Sequence, residues 1–261
     1  MMGSLLLRGM LAGALAGLLV FVFAAIFGEP QVNLAIALEA QAAATGHEHA
    51  AKAASEPSGH SHGGEAELVS RGVQSTLGLG TAVILYGAAI GGLFALAFAA
   101  VYGRIGSLGP QATAGLLAAL GFVAVFLVPA IKYPANPPAV GNADTVALRT
   151  GLHLLMLVCS LVALAIAARL RRSLVTGHGA WNGTVLAGGA YLVLVILAML
   201  VLPGVNEVPD GFPAPLLWDF RLVSFGMQLL LWAALGLGFG LLAQRHLSSP
   251  RALGAADLAR G

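Results

Sequence analysis

Four histidines in one polar segment are the first residues in this 261-residue sequence whose spacing suggests chemistry. His47 and His49 form one His-x-His pair, and His60 and His62 form a second, joined by a linker that contains serine, proline and glycine. In an extended segment residues two apart point the same way, so each pair offers two imidazole nitrogens to one metal ion. We therefore predict that the segment binds a divalent transition ion. A solvated linker with inert histidines is the alternative interpretation.

Further candidate ligands lie outside this segment. His153, Met156 and Cys159 are each three residues from the next, so neighbours share a helix face. An ionisable residue within an apolar span is a functional candidate, whereas packing is the favoured interpretation for the methionine and the cysteine. Glu207, in a proline-rich stretch, is predicted to attract a cation; its alternative role is to pair with an arginine at a helix end. The predicted metal-ligating residues are thus His47, His49, His60, His62, His153 and Glu207.

The composition places these residues in a membrane protein. Hydrophobic residues make up 58% of the chain and charged residues 9%, against about 25% charged in an ordinary soluble domain. Uncharged runs such as 10–27, 79–101 and 185–202 reach the roughly 18 residues that a helix needs to cross the hydrocarbon core. Since only helices and closed barrels satisfy their own backbone in lipid, these runs predict helices.

We predict an all-α integral membrane protein with six transmembrane helices, at about residues 5–27, 73–102, 112–131, 145–168, 180–202 and 216–243. Six spans put both termini on one side. Most arginines fall on that side, which the positive-inside rule makes cytoplasmic: Arg8, Arg104, Arg169, Arg171, Arg172, Arg245, Arg251 and Arg260. The 13 basic residues are spread along the chain and the net charge is only +2, which argues against a nucleic-acid partner.

The predicted organisation has four parts. A first transmembrane helix at 1–27 is followed by a histidine-rich extracytoplasmic loop at 28–72, a five-helix membrane domain at 73–244 and a cytoplasmic tail at 245–261. Arg8 before an apolar stretch also fits a cleaved signal peptide. A retained helix is favoured because it keeps the charge pattern consistent across the later loops.

The outer loops resemble one another. In each, a proline is predicted to end one helix and an arginine to open the next: Pro129 and Arg149, Pro203 and Arg221, and more loosely Pro30 and Arg71. We infer three parallel helical hairpins, with both later arginines paired to Asp144, Asp219 or Glu207. Alternatively, proline and arginine simply favour membrane edges. Small-xxx-small spacing also occurs at Gly13 with Gly17 and at Gly87 with Gly91, where ordinary packing is the favoured interpretation.

The sequence contains no Walker phosphate loop and no His-Glu-x-x-His zinc helix. We therefore predict no enzymatic activity and no tightly bound cofactor. A metal transporter, a metal-binding membrane sensor or storage protein, and a membrane scaffold remain as function classes. Transport is the favoured class, because polar groups such as His153 and Glu207 suit a pathway and no cytoplasmic signalling domain is predicted from the sequence.

Two loop strings carry a resemblance to a known family. Residues 132–141 read Lys-Tyr-Pro-Ala-Asn-Pro-Pro-Ala-Val-Gly, and residues 206–213 read Asn-Glu-Val-Pro-Asp-Gly-Phe-Pro, with Leu-Trp-Asp-Phe-Arg-Leu soon after. With the histidine-rich segment, these strings resemble the predicted cobalt transporter subunit family CbtA over nearly the whole chain.

The resemblance implies a cobalt permease of a bacterial inner membrane, associated with cobalamin supply. It also implies a small single-span partner, CbtB, that carries its own histidine-rich tail. Co²⁺ would then be the substrate, although the ligand types alone would also accept Ni²⁺ or Zn²⁺. Family members are usually described with five spans, one fewer than the apolar runs predict here.

Overall fold

The computed structural model of the chain describes residues 2–53, 70–104 and 106–248. All regular structure in these ranges is helical: α1 (Met2–Phe23), α2 (Glu29–Ala53), α3 (Arg71–Val73), α4 (Leu79–Val101), α5 (Pro110–Gly121), α6 (Val128–Lys132), α7 (Val146–Val201) and α8 (Ala214–Leu247). Three π-helical segments, Ala24–Gly28, Gln74–Gly78 and Phe122–Leu127, and a 3-10 turn, Ala143–Thr145, complete it.

Five helical stretches in the described ranges are long and apolar enough to cross a bilayer: Met2–Gln41, Ser75–Val101, Pro110–Lys132, Val146–Val201 and Ala214–Leu247. The predicted class, an all-α multi-pass membrane protein, is therefore confirmed. The fourth stretch has 56 residues, about twice the length needed for one crossing, and it contains all but one residue of the fourth and of the fifth predicted span.

Helix α7 reverses direction at Gly179. This residue has φ 79° and ψ 166°, a conformation that glycine adopts without steric cost. Ser160 and Tyr191 would be about 46 Å apart on a straight helix, yet their hydroxyl oxygens lie 2.9 Å apart. Two arms, residues 146–178 and 180–201, therefore lie side by side. The reversal accounts for the predicted sixth span.

The sequence predicts that the first helix ends at Phe27, but the helix continues beyond this residue. Its backbone continues through the π-helical segment Ala24–Gly28 into α2, which runs to Ala53. The Glu29 N–H bonds to the Ala24 carbonyl, five residues back instead of four. This wider turn makes room for Pro30, whose ring conflicts with a regular α-helical turn. The prediction that Pro30 closes the helix is wrong, and the helix extends into the segment assigned to the outer loop.

Pro129 is accommodated in the same way. The Val128 N–H bonds to the Val123 carbonyl, again five residues back, and the helix continues to Lys132. Of the three prolines predicted to end helices, only Pro203 directly follows a helix end, because α7 stops at Val201.

The chain divides into two compact units, the first including α1, α4 and α8 and the second α6 and α7. In the first unit, α1 and α4 meet at glycines. A β-carbon on Gly13 would collide with the Gly87 carbonyl oxygen and lie 2.9 Å from the Gly91 Cα, and one on Gly17 would lie 2.7 Å from the Val83 carbonyl oxygen. The order of these contacts makes the helices antiparallel. The two small-xxx-small motifs therefore pack against each other, which supports a retained first helix.

Aromatic rings join α4 to α8 in the first unit. Phe94 and Phe98 both pack edge-on against Phe239, with ring centroids 5.4 and 5.0 Å apart, and Phe98 and Phe239 are fully buried. At the start of α1, the Ser4 hydroxyl lies 2.9 Å from Nε2 of His246 near the end of α8. Helix α8 thus packs on both helices of the antiparallel pair.

The core of the second unit is formed by α6 and the two arms of α7. Its buried residues are Val128, Met156, Ala163, Ala167, Tyr191 and Val195. Near the reversal, a β-carbon on Gly183 would lie 2.7 Å from the Val175 backbone nitrogen, so glycine is required where the arms touch. The predicted three-hairpin arrangement stays a prediction, because the second arm of α7 and helix α8 belong to different units.

Replacing Gly13 by alanine should destabilise the protein by about 1–3 kcal/mol, because the added methyl group overlaps the α4 backbone and forces the helices apart. Thermal unfolding in detergent measures the effect. Gly188→Ala is the matched control, since a β-carbon on this helical glycine has nothing within 4 Å. Equal unfolding temperatures for the two variants would show that the close contact of α1 and α4 contributes nothing to stability.

Candidate functional site

Two irregular segments flank α7: residues 133–142 before it and residues 202–213 after it. Their prolines lack the backbone N–H that a helix needs and fix φ, as the sequence predicts. The Tyr133 hydroxyl donates to the Pro203 carbonyl at 2.8 Å, so the two loops are joined. Partial loss of water raises the pKa of this tyrosine above its ordinary value.

Glu207 is the centre of a second set of contacts between these loops. Its Oε2 accepts a hydrogen bond from the Asn142 backbone N–H at 2.9 Å and lies 3.2 Å from Nε of Arg149. Arg149 also donates through Nη2 to the Asn142 carbonyl at 3.2 Å. The expectation that Arg149 pairs with an acidic residue is confirmed, with Glu207 as its partner; the outer side of the membrane stays a prediction for this pair.

The pKa of Glu207 is lowered from its ordinary value of 4.5. The Thr145 hydroxyl contributes most, followed by the Asn142 N–H, and the Arg149 charge adds to them, whereas partial loss of water opposes the shift. The Thr145 hydroxyl also lies 2.9 Å from the Asn142 carbonyl, and with one proton it donates to one acceptor at a time. These groups hold Glu207 as a carboxylate at neutral pH.

The loop backbone leaves space for Arg149. Gly141 has φ 115°, and a β-carbon there would collide with the Arg149 guanidinium. The Arg149 Nε is buried and, within the described residues, is not aligned for a hydrogen bond, so its attraction to Glu207 at 3.2 Å is mainly electrostatic. Ala139, in the same loop, has φ 66°, which is unfavourable for a residue with a β-carbon. The loop conformation is therefore specified by tertiary contacts.

His153 lies one helical turn after Arg149 on α7 and is half-buried. Met156 is fully buried in the core of the second unit, which confirms the packing interpretation for it, and Cys159 is half-buried. Across the described ranges, no group of three or more His, Cys, Asp or Glu side chains is placed to hold a metal ion. The metal-binding roles of His153 and Glu207 stay predictions.

The loop histidines are only partly within the described residues. His47 and His49 lie on the helical backbone of α2, so the extended backbone expected for this pair is wrong. His60 and His62 fall outside the described residues. The capture role assigned to the four histidines stays a prediction.

A short string in this region was missed among the enzyme motifs. Residues 59–63 read Gly-His-Ser-His-Gly, which fits the Gly-x-Ser-x-Gly pattern of serine hydrolases. That pattern acts on a sharp turn between a strand and a helix. Residues 59–63 fall outside the residues that the structure describes, so the absence of enzymatic activity stays a prediction.

The sequence analysis also missed the buried pair Ser160 and Tyr191. Ser160 has no exposed surface and Tyr191 is 9% exposed, and their hydroxyls form a hydrogen bond of 2.9 Å between the arms of α7. Serine and tyrosine are not among the usual ligands of a divalent transition ion, so a search for ligands passes over both. Their polarity within apolar runs was the available signal, since buried hydroxyls need partners.

Comparison with known proteins gives a family match that covers nearly the whole chain. A family model described as "Probable cobalt transporter subunit (CbtA)" matches residues 2–244. No curated protein matches the chain, and no solved structure matches it. The match includes both loops of the candidate site.

Replacing Glu207 by glutamine should lower thermal stability at neutral pH, because the amide keeps the shape but loses the charge that Arg149 contacts. Since the folded pKa lies below 4.5, this contribution is fully present above about pH 4.5 and is lost as the pH falls through the folded pKa. Unfolding temperatures of both proteins should therefore converge in acid. The control is Asp210→Asn, a substitution of an exposed residue in the same loop. An equal fall in unfolding temperature for this variant would show that the carboxylate of Glu207 has no special role in stability.

Proposed function

The chain belongs to the CbtA family of probable cobalt transporter subunits, and on that premise we propose that it moves Co²⁺ across a bacterial inner membrane. The family match over residues 2–244 is the observation that carries the proposal. The five apolar helical stretches provide the membrane-spanning body that a permease requires. Nothing in the proposal requires an enzymatic step or a resident cofactor.

The proposed pathway uses the borderline ligands that the second unit offers. Imidazole and carboxylate groups suit Co²⁺ and would also accept Ni²⁺ or Zn²⁺. His153 supplies an imidazole on α7 one turn from Arg149, and Glu207 supplies a carboxylate at the loops. We assign His153 to the pathway itself and Glu207 to its outer mouth.

Arg149 limits what Glu207 can do for a cation. A metal ion approaching Glu207 meets the Arg149 guanidinium 3.2 Å from the same oxygen, and like charges repel. Binding at Glu207 thus requires Arg149 to move away or the ion to use the other carboxylate oxygen. In either case the ion would change the contacts of Glu207 with Arg149 and Asn142, which join the two loops. Such a change suits a mouth that opens for a cation.

The histidine-rich segment is proposed to concentrate metal before it reaches the mouth. His47, His49, His60 and His62 would collect scarce ions outside the pathway and would not select one ion over another within it. A CbtB-like single-span subunit is the proposed protein partner, and both termini are proposed to be cytoplasmic because the arginines concentrate on that side.

A metal-binding membrane sensor or scaffold without transport is the second candidate. The pairing of Glu207 with Arg149 favours it, because an engaged carboxylate can hold loops together without conducting ions. Radiolabelled Co²⁺ uptake by cells with and without the gene separates the two. Unchanged uptake together with retained metal binding would establish the second candidate.

Replacing His47, His49, His60 and His62 together by alanine should weaken uptake at scarce Co²⁺ and spare it at saturating Co²⁺. The reason is that a capture segment raises local ion concentration and does not form the route. The measurement is initial uptake rate against Co²⁺ concentration: KM should rise while the maximal rate stays within about twofold. Complete loss at saturating metal would show that these histidines belong to the route.

Replacing His153 by leucine should reduce the maximal uptake rate at least tenfold, because it removes an imidazole ligand at similar bulk. His178→Leu is the matched control, since this exposed histidine lies on the same helix next to the reversal. Membrane insertion of both variants is checked by immunoblotting of isolated membranes. Normal uptake by an inserted His153→Leu protein would place the route elsewhere.

A further inference from the structure

The reversal of α7 carries positive charge without acidic neighbours in the helix. Arg169, Arg171 and Arg172 lie on the first arm, and Val146–Val201 contains no aspartate or glutamate. Arg171 is held by the Thr184 hydroxyl on the second arm at 2.9 Å. Arg169 and Arg172 are exposed and form no hydrogen bond or ion pair within the described part of the chain. Being three residues apart, they share one helix face.

Near the reversal, the backbone contact of Gly183 with Val175 sets the register of the two arms. With that register Trp181 lies level with Gly177, about 12 Å beyond Arg169 and about 8 Å beyond Arg172 along the first arm. From Val146, where the first arm begins, Arg169 is about 35 Å away. Since the hydrocarbon core is about 30 Å thick, Arg169 and Arg172 lie at one membrane boundary, with Trp181 on the headgroup side of them.

Trp181 is the second feature of this boundary. Its side chain is 80% exposed, two residues after the glycine that reverses the helix. Tryptophan is enriched where the hydrocarbon core meets the headgroups, because the ring is apolar and its N–H needs a polar partner. The exposed tryptophan on the headgroup side of two exposed arginines indicates that this end of α7 lies in the headgroup layer.

We propose that the reversal of α7 binds the headgroup of an anionic phospholipid, with Arg169 and Arg172 contacting the phosphate and Trp181 lying in the headgroup layer beyond them. Guanidinium groups are suited to phosphate because their paired N–H donors match its oxygens. The position at the membrane boundary favours a lipid over a free phosphate ion. The proposal rests on the fold and is independent of metal transport.

The test uses the full chain purified in detergent without added metal. Phosphatidylglycerol or phosphatidylcholine is titrated, and bound lipid is counted by native mass spectrometry. The double variant Arg169→Gln with Arg172→Gln should weaken phosphatidylglycerol binding by about 30-fold at low salt, about fivefold for each arginine. Binding of phosphatidylcholine should not change. The control, Arg104→Gln with Lys132→Gln, removes the same charge elsewhere and should keep the preference for phosphatidylglycerol.

Three outcomes would overturn the proposal. The first is an unchanged preference for phosphatidylglycerol in the Arg169 and Arg172 variant, and the second is an equal loss in the control. The third is displacement of phosphatidylglycerol by inorganic phosphate at matched ionic strength, which would make this a site for soluble phosphate. Equal unfolding temperatures of the variant and the parent protein in phosphatidylcholine establish that any loss of binding is local. Cobalt uptake is not a readout, so failure of the transport proposal leaves this result standing.

Discussion

Close approach of helix backbones is the interaction on which both units depend. Lipid tails are as apolar as leucine, so the hydrophobic effect gives little attraction between helices inside a bilayer, and packing of small residues must supply it. Gly13 and Gly87 provide this contact in the first unit, and Gly183 provides it between the arms of α7. The aromatic contacts of Phe94 and Phe98 with Phe239 then position α8 on the pair already formed.

Polar groups within the second unit are satisfied in two different ways. Ser160 and Tyr191 satisfy each other between the arms of α7, which fixes how the arms lie together because a buried hydroxyl without a partner is costly. Glu207 instead gathers donors from a neighbouring loop and from the start of α7. The first arrangement is closed to water, whereas the second is half-exposed and can respond to an approaching ion.

This difference bears on how a metal pathway would work. A route needs ligands that bind an ion and then release it, so fully engaged groups such as Ser160 and Tyr191 suit structure better than transport. His153 is half-buried one turn after Arg149, and under the proposed function the Arg149 charge next to Glu207 would oppose lasting occupancy of the mouth by a divalent ion. Attraction by carboxylate and repulsion by guanidinium would then together set how long an ion stays at the mouth.

The membrane class, the helical content and the approximate spans follow from the sequence alone, because a charge content of 9% and apolar runs of bilayer length leave few alternatives. The irregular backbone of the loops on either side of α7 is also predictable, since proline fixes its own φ and lacks the backbone N–H that a helix needs. Pro30 and Pro129 show the limit of that rule: whether a proline ends a helix or passes through a π-helical turn is not decided by the proline itself.

Only the tertiary structure decided which polar groups meet. Arg149 was expected to pair with one of three acidic residues, and the selection of Glu207 depends on Asn142, Thr145 and the space at Gly141. The partnership of Ser160 with Tyr191 depends on the reversal at Gly179. Apolar content and backbone rules act over a few residues and can be read locally, whereas contacts between residues 31 or 58 positions apart arise only when the chain folds back, which brings together groups that no local pattern relates.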